Sequence, residues 1–504
     1  MPDSFQKIKQ PELFFGFVCP IGADMSAAIQ AFRKYFQDKG YRTVDVKVTD
    51  VFNVLQNYVV PDKSLERTNL HQRYITYIAY GNQLRAQFGD STLASLAIRR
   101  VMAKRLKDNR TDEKYSKTVY LLHQFKRKEE IDLLRSIYGR LFFQISIYSR
   151  RGARVDHLAR HFAASDHSAG PQRYRHLAES LVQDDENETG KIHGQRVAKI
   201  FHDADFIVNM DVETTANEQV ERFCELLFGS NQISPSRIEY GLFLAKAAAL
   251  RSLDLSRQVG TAIFSQTGEI ISLGSNEVPK AGGGTYWADD KHEDRDFKRK
   301  HDSNFARKKE ILSELIDIIS PGQSPEQFMS NPKIRDSQFM DALEYGRMVH
   351  AEMSAISDAA RVGHSIVGGT LYCTTFPCHM CAKHIVAAGI ANVIFLEPYP
   401  KSLAVDLHAD SIIVEGSDRG QYQKFPSVGF DHFYGVTPRR YREIFERGGR
   451  KNNDTGAFLE YVHGTPQPII DVNYPFYVEL EQHLSEPIVD SLKRLVSEAE
   501  LTDV

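Results

Sequence analysis

Cysteine is scarce in this chain, five residues in 504. Five cannot build a disulfide framework through so long a polypeptide, so packing must hold it. An excess of either charge is also missing: 63 Lys and Arg face 66 Asp and Glu, for a formal net charge of −3. A dedicated polynucleotide binder usually carries a strongly basic domain, and this balance argues against one while leaving room for a local basic pocket. Long apolar runs are absent too. The first seven residues lack the apolar stretch of a signal peptide, and no segment is long and apolar enough to span a bilayer. The expectation is a cytoplasmic protein with no membrane partner. The length exceeds what one core accommodates and suits two or three domains.

What is present is concentrated in two short motifs, His350-Ala351-Glu352 and Pro377-Cys378-His379-Met380-Cys381. One imidazole and two thiolates make three zinc ligands, and tetrahedral zinc then keeps a fourth position open for water. Zinc brings the pKa of water from 15.7 to about 7, which makes a nucleophile available at neutral pH. Glu352 is not needed as a ligand and is free to move protons as general acid and base. Pro377 ahead of Cys378 reads as the start of a helix, whose N-terminus favours thiolate. A lone Cys-x-x-C pair also fits a redox dithiol. A structural zinc would want a fourth ligand, and the nearest candidate, Cys373, sits in a strand-like segment and is assigned to packing. In this order the two motifs resemble the signature of the zinc deaminases of nucleobases.

The first half reads as α/β. An apolar run over 13–18 ends in Cys19-Pro20-Ile21-Gly22-Ala23-Asp24, and a helical pattern follows through Met25, Ala28, Ile29, Phe32, Tyr35 and Phe36. Further strands are expected at 41–46, 141–148 and 203–210, with helices over 126–135 and ending at Gly229, which predicts a mostly parallel sheet. The region resembles P-loop nucleotide kinases in its opening strand-loop-helix, in 133–139 and in the 204–209 strand. It departs from the phosphate loop G-x-x-x-x-G-K-[S/T], because Ala23 and Asp24 follow Gly22 and the Lys and hydroxyl are missing. Gly16, Gly22 and Asp24 are therefore the candidate nucleotide or regulatory residues, with a nucleotide and Mg²⁺ as their implied ligands. NTP hydrolysis is not expected there, and the alternatives are a regulator of the other half or an oligomerisation scaffold. The acidic run Asp184, Asp185, Glu186, Glu188 reads as a solvated insertion or lid. Cys19 and Cys224 read as buried bystanders.

The pattern breaks at 231–236, which sets the expected boundary: a P-loop-like domain over 1–232 and a second domain over 233–504. In the second, a helix is expected from Ile238 to about Leu253, then a hairpin of 259–264 with 270–274, and later strands around Tyr372 and at 393–396. The zinc helices complete an α/β/α sandwich. This half resembles the deoxycytidylate-deaminase branch of the cytidine deaminase superfamily in Gln258-Val259-Gly260, Gly274 to Pro279, Gly282 to Trp287, the zinc motif, Ala388-Gly389-Ile390 and Glu397 to Ser402. Joined to the degenerate P-loop half, it resembles bacterial anti-phage dCTP/dCMP deaminases.

The resemblance implies a zinc-dependent hydrolase that converts dCTP, or dCMP, to the uracil nucleotide and drains the pool that phage replication needs. It implies Asn276 as a sugar contact, with Glu277, Trp287, Ala351 and Tyr399 as further substrate contacts; a turn-capping Asn276 and packing aromatics are the plainer readings. It also implies a homo-oligomer and restraint by a small inhibitory RNA. The charged insertion over 288–343 offers Lys298, Arg299, Lys300, Arg307, Lys308 and Lys309 as a phosphate clamp or a solvated face. The extension after 415, rich in Gly and aromatics over 428–441, covers the pocket or joins subunits. The rival functions are a polynucleotide cytosine deaminase and a non-catalytic nucleotide sensor.

Overall fold

The structure is a computed structural model that describes residues 8–107, 115–167, 170–188, 191–335, 337–399 and 401–493. The first seven residues and Pro400 of the 397–402 segment lie outside the described residues. The chain divides into two compact units, one comprising the residues through Pro235 with those from Tyr434 onward, the other Ser236–Phe433. Each is built on a six-stranded sheet.

In the first unit β1 (Leu13–Val18), β2 (Arg42–Lys47), β3 (Thr118–His123), β4 (Phe142–Tyr148) and β5 (Phe206–Asn209) pair in parallel. Both β1 and β3 are buried along their whole length. Continuous apolar runs of this kind are what a parallel strand covered on both faces requires. The helix Met25–Asp38 lays Ala28, Ile29, Phe32, Tyr35 and Phe36 on the sheet, and Phe15 meets Phe32, Phe36 and Phe143 ring to ring.

In the second unit β6 (Gly260–Phe264) and β7 (Ile270–Ser275) form the expected hairpin. β8 (Thr370–Thr375) runs antiparallel to β6, and β9 (Asn392–Glu397), β10 (Ile412–Val414) and β11 (Val428–His432) continue the sheet in parallel, in the order β10-β11-β9-β8-β6-β7. Ser236 and Glu239 form a reciprocal cap at the start of the helix Arg237–Ala249. That helix lies tight against β6, because a Cβ on Gly260 would stand 1.9 Å from the Ala245 carbonyl oxygen. The insertion folds into helices, the longest being Ser303–Ile319.

After Phe433 the chain returns to the first unit. β12 (Gly435–Val436) pairs antiparallel with β5 and covers its edge. This division differs from the expected boundary, which placed all of 233–504 together. Buried charge explains the return. Asp205, fully buried, accepts hydrogen bonds from Arg135 at 3.1 Å and from Arg440 at 3.1 Å. Arg105 joins Glu12, next to β1, at 2.8 Å to Glu481 of the last helix, Tyr477–Lys493, at 2.6 Å. Tyr120 and Tyr477 donate their hydroxyls to the same Glu12 carboxylate. The extension therefore completes the first unit, a role its sequence did not announce.

Removing one member of a buried charge cluster strands the others. Arg105→Met should lower the stability of the first unit by about 3–5 kcal/mol, read from urea titration by circular dichroism. A loss below about 1 kcal/mol would mean that Arg105 is solvated in the folded state.

Candidate active site

Two helix N-termini build the site. His350 is the N-cap of Ala351–Val362, and Cys378 is the N-cap of His379–Ala387, both with extended backbone dihedrals. Cys381 lies one turn into the second helix and is fully buried. His350 Nδ1 stands 3.3 Å from Cys378 Sγ and 3.3 Å from Cys381 Sγ. These three residues form the only such group of potential metal ligands among the described residues, their ligand atoms all within 4.8 Å of one another.

The donor set fits zinc. Bonds of about 2.3 Å to sulfur and 2.0–2.1 Å to nitrogen at tetrahedral angles require N···S edges of roughly 3.5 Å, close to the 3.3 Å seen. Cys373 is outside this group. It is buried in β8, where its sulfur accepts from the Thr261 hydroxyl at 3.4 Å. Without a metal the electrostatics favour thiolate at Cys378 alone, because the hydrogen bond with Cys378 and burial hold the Cys381 thiol up. Hydrogen bonding from Cys381, with His350 beside it, pulls the Cys378 thiol down to about 4 against the effect of burial. The bond to Cys378 pushes His350 up to about 9.

Glu352 occupies the first turn of the same helix as His350 and is 4 % exposed. Burial raises its pKa first, and the negative charge on Cys378 raises it further. A carboxyl whose pKa is raised holds a proton more readily than a solvated one, which suits a group that accepts a proton and returns it. Its placement depends on Gly274 of β7, where a Cβ would lie 2.0 Å from the Ala351 carbonyl oxygen and 2.6 Å from the Ala355 nitrogen.

A cavity of about 250 Å³ opens over these residues. His350, Ala351, Glu352 and Cys378 line it together with Val259, Asn276, Thr375, Phe376 and Tyr399. Asn276 is held by backbone on both ends of its amide. Its oxygen accepts from the Val259 N–H at 2.7 Å and its nitrogen donates to the Arg257 carbonyl at 2.8 Å. It thus fixes the 252–259 loop as well as facing the cavity.

Glu277 and Trp287 are not among the lining residues. Glu277 is fully buried and accepts from the N–H groups of Leu253 and Val278 and from Arg295. Trp287 is 52 % exposed and stacks under the Arg251 guanidinium, 3.4 Å from the ring centroid. The insertion's cations also stay outside: Lys298 and Arg299 pair with Glu293 and Asp294, Arg307 with Glu310, Lys309 with Glu326, and Lys308 donates to the Met340 carbonyl. Sequence reading missed Arg257, Arg347, Asp254 and Asn304, which do line the cavity. Arg257 precedes the quoted Gln258-Val259-Gly260, and Arg347 lies three residues before His350. That proximity was the available signal.

In the first unit Gly16 lies within β1, and Gly22 and Asp24 lie in the loop that follows it. A Cβ on Gly16 would meet the Phe142 ring at 2.6 Å, so this glycine makes room for packing. Gly22 has φ +87° beside the Arg154 carbonyl. Asp24 caps the helix Met25–Asp38 by accepting from the Ser26 N–H at 2.9 Å. The acidic run is not a wholly solvated lid. Asp185 is fully buried, accepting from the Ile21 N–H and from Lys126, both at 2.7 Å. Lys126 also donates to the Cys19 carbonyl. An internal carboxylate thus takes the loop N–H that a phosphate would seek.

Residues 235–397 match the cytidine and deoxycytidylate deaminase zinc-binding region. The chain is 48% identical over 54 residues to the deoxycytidylate deaminase of Enterobacteria phage T2, covering 11% of this chain and 29% of the relative. It therefore spans less than a third of that relative's length. It is 27% identical over 201 residues to the probable deoxycytidylate deaminase of Drosophila melanogaster, 39% of this chain and 78% of the relative. Among solved structures, the apo dCMP deaminase of cyanophage S-TIM5 aligns over 40% of this chain and 99% of its own, at 18% identity and a TM-score of 0.22. No described helix is long and apolar enough to cross a membrane.

Gly274→Ala should push the His350 helix off β7 and reduce bound zinc, measured by elemental analysis against Gly152→Ala, where nothing lies within 4 Å of the added carbon. Overpacking of this kind costs about 1–3 kcal/mol. Full zinc content in Gly274→Ala would show that the approach is not needed to place the ligand.

Proposed function

We propose that the second unit catalyses the zinc-dependent hydrolytic deamination of a free deoxycytidine nucleotide, dCTP or dCMP, to the deoxyuridine nucleotide. One observation carries the reading: the His350, Cys378 and Cys381 ligand atoms lie within 4.8 Å of one another, and His350 and Cys378 line a cavity that the buried Glu352 also lines. His350, Cys378 and Cys381 would hold a zinc ion, which when bound would supply a water of lowered pKa.

The chain's own residues do the rest. Glu352 takes one proton from the attacking water and delivers it to the ring nitrogen beside the reacting carbon; it then takes the remaining hydroxyl proton as the carbonyl forms and passes it to the amine, which departs as ammonia. Ala351 presents only a methyl group, leaving space for a flat ring above the metal site. Phe376 packs edge-on against Phe395, with ring centroids 4.9 Å apart, and gives the cavity a fixed apolar wall. Arg257 lies over the Tyr399 ring at 5.4 Å and lines the same cavity, placing a cation where a nucleotide's phosphates can reach it.

The near-neutral chain charge supports a free nucleotide over a polynucleotide. Depletion of the deoxycytidine nucleotide pool during phage infection is the biological role this reading carries. A homo-oligomer, a small inhibitory RNA, and a nucleotide with Mg²⁺ on the first unit belong to the same proposal and rest on the resemblance alone.

Ammonia release should be measured with dCTP, dCMP, CTP, cytidine and a cytosine-containing oligonucleotide side by side. Turnover of dCTP or dCMP is the expected outcome, and turnover of the oligonucleotide alone would replace this reading with an editing enzyme. Glu352→Gln should retain zinc while turnover falls by roughly 10²–10⁴. Cys378→Ser should instead lose zinc, and a stoichiometric metal in that variant would sink the ligand assignment.

A further inference from the structure

The segment 439–451 in the first unit carries Arg439, Arg440, Arg442, Arg447, Arg450 and Lys451 against only Glu443 and Glu446. In a chain of net charge −3 this is a local concentration of cations. Some are neutralised. Arg440 is consumed by Asp205. Arg140 donates to Glu443 at 2.7 Å, and Arg442 to Glu446 at 2.6 Å.

Arg447 is different. Its Nη2 donates to the Leu226 carbonyl at 2.6 Å, at the C-terminal end of the helix Ala216–Leu227. Its Nε is enclosed and has no acceptor among the described residues. No ion pair is seen for it there, and burial together with the charge of Arg450 lowers its pKa to about 10. A guanidinium in that state has lost water without gaining a counter-charge.

Arg447 also borders a cavity of about 280 Å³ with Arg140, Arg442 and His463 around it, and Gly448 contributes backbone with no side chain in the way. The two carboxylates on the wall are those already engaged by Arg140 and Arg442. The volume stands just below the roughly 300–1,000 Å³ of small-molecule sites, so it accommodates a phosphate group and part of what the phosphate carries.

We propose that this cavity is an oxyanion site of the first unit, taking a phosphate, free or as the phosphate of a nucleotide, with Arg447 as its central cation. Arginine suits such a ligand because its planar fork donates two parallel hydrogen bonds to two oxygens. Every residue involved belongs to the first unit, and none is a candidate zinc ligand.

The test uses the full zinc-loaded chain and isothermal titration with inorganic phosphate and, separately, with 5′-AMP at low salt. Saturable binding that weakens at least tenfold in Arg447→Gln and declines with added chloride is expected, with zinc content unchanged. Tighter binding of 5′-AMP than of phosphate assigns the site to a nucleotide, and equal binding assigns it to the phosphate group alone. Absence of saturable binding by the wild type, or equal binding by Arg447→Gln, overturns the proposal. Should Arg447→Gln fail to fold, His463→Ala and Arg442→Gln at the exposed rim give the same reading through a smaller, additive loss.

Discussion

The second unit depends on two helix N-termini aimed at one point. His350 and Cys378 each occupy the N-cap of a helix, where an extended backbone turns the side chain across the helix end. The partial positive charge of such an end stabilises thiolate at Cys378. One turn further, Cys381 closes the ligand set, and Glu352 shares its helix with His350. The proposed proton carrier and the candidate ligand therefore ride on one helix, and their separation does not rely on a loop. The convergence is possible because β7 offers Gly274 under Ala351, so the helix start can rest directly on the strand.

This local construction is why the metal site was legible in the sequence. All three ligands and Glu352 fall within 350–381, and each helix writes its own short spacing. The cavity rim was not legible. Arg257 and Asp254 come from the loop before β6, about a hundred residues upstream, and only the sheet order places that loop beside Tyr399. Glu277 illustrates the opposite error. A carboxylate next to Asn276 looked like a substrate contact, but Arg295 from the insertion and two backbone N–H groups satisfy it in the interior. Trp287 follows the plainer reading of a packing aromatic: its partner is Arg251, 36 residues upstream.

The first unit shows the same limit in charged residues. Asp185 sits in a run that reads as solvent-exposed, yet its partner Lys126 lies 59 residues away and its other donor, Ile21, 164 away. Nothing local distinguishes it from Asp184. The strands fared better, because β1, β4 and β5 carry apolar runs that need no partner to be recognised, although β3, equally buried, went unread. The loop after β1 resembles a phosphate loop in sequence but lacks its lysine and hydroxyl. Without the lysine and hydroxyl of a working loop, an exposed backbone N–H would attract any anion, and an internal carboxylate fixed by Lys126 gives the loop a permanent one.

The chain's return after Phe433 follows from the same accounting of buried charge. Glu12 stands next to a central strand and cannot be solvated there, so it needs cations and hydroxyls from elsewhere. Arg105 supplies the cation, but one guanidinium beside one carboxylate leaves donors unused, and Glu481 takes them. Tyr477 brings a further donor to Glu12 from the same helix. Toward one edge of the sheet, Asp205 accepts from Arg135 and from Arg440, while β12 pairs with the strand beside it. A unit ending at residue 235 would leave two buried carboxylates under-satisfied and one strand edge open. The seventy residues after the deaminase-like segment remove these defects, and the second unit is thereby an insertion within the first by chain order.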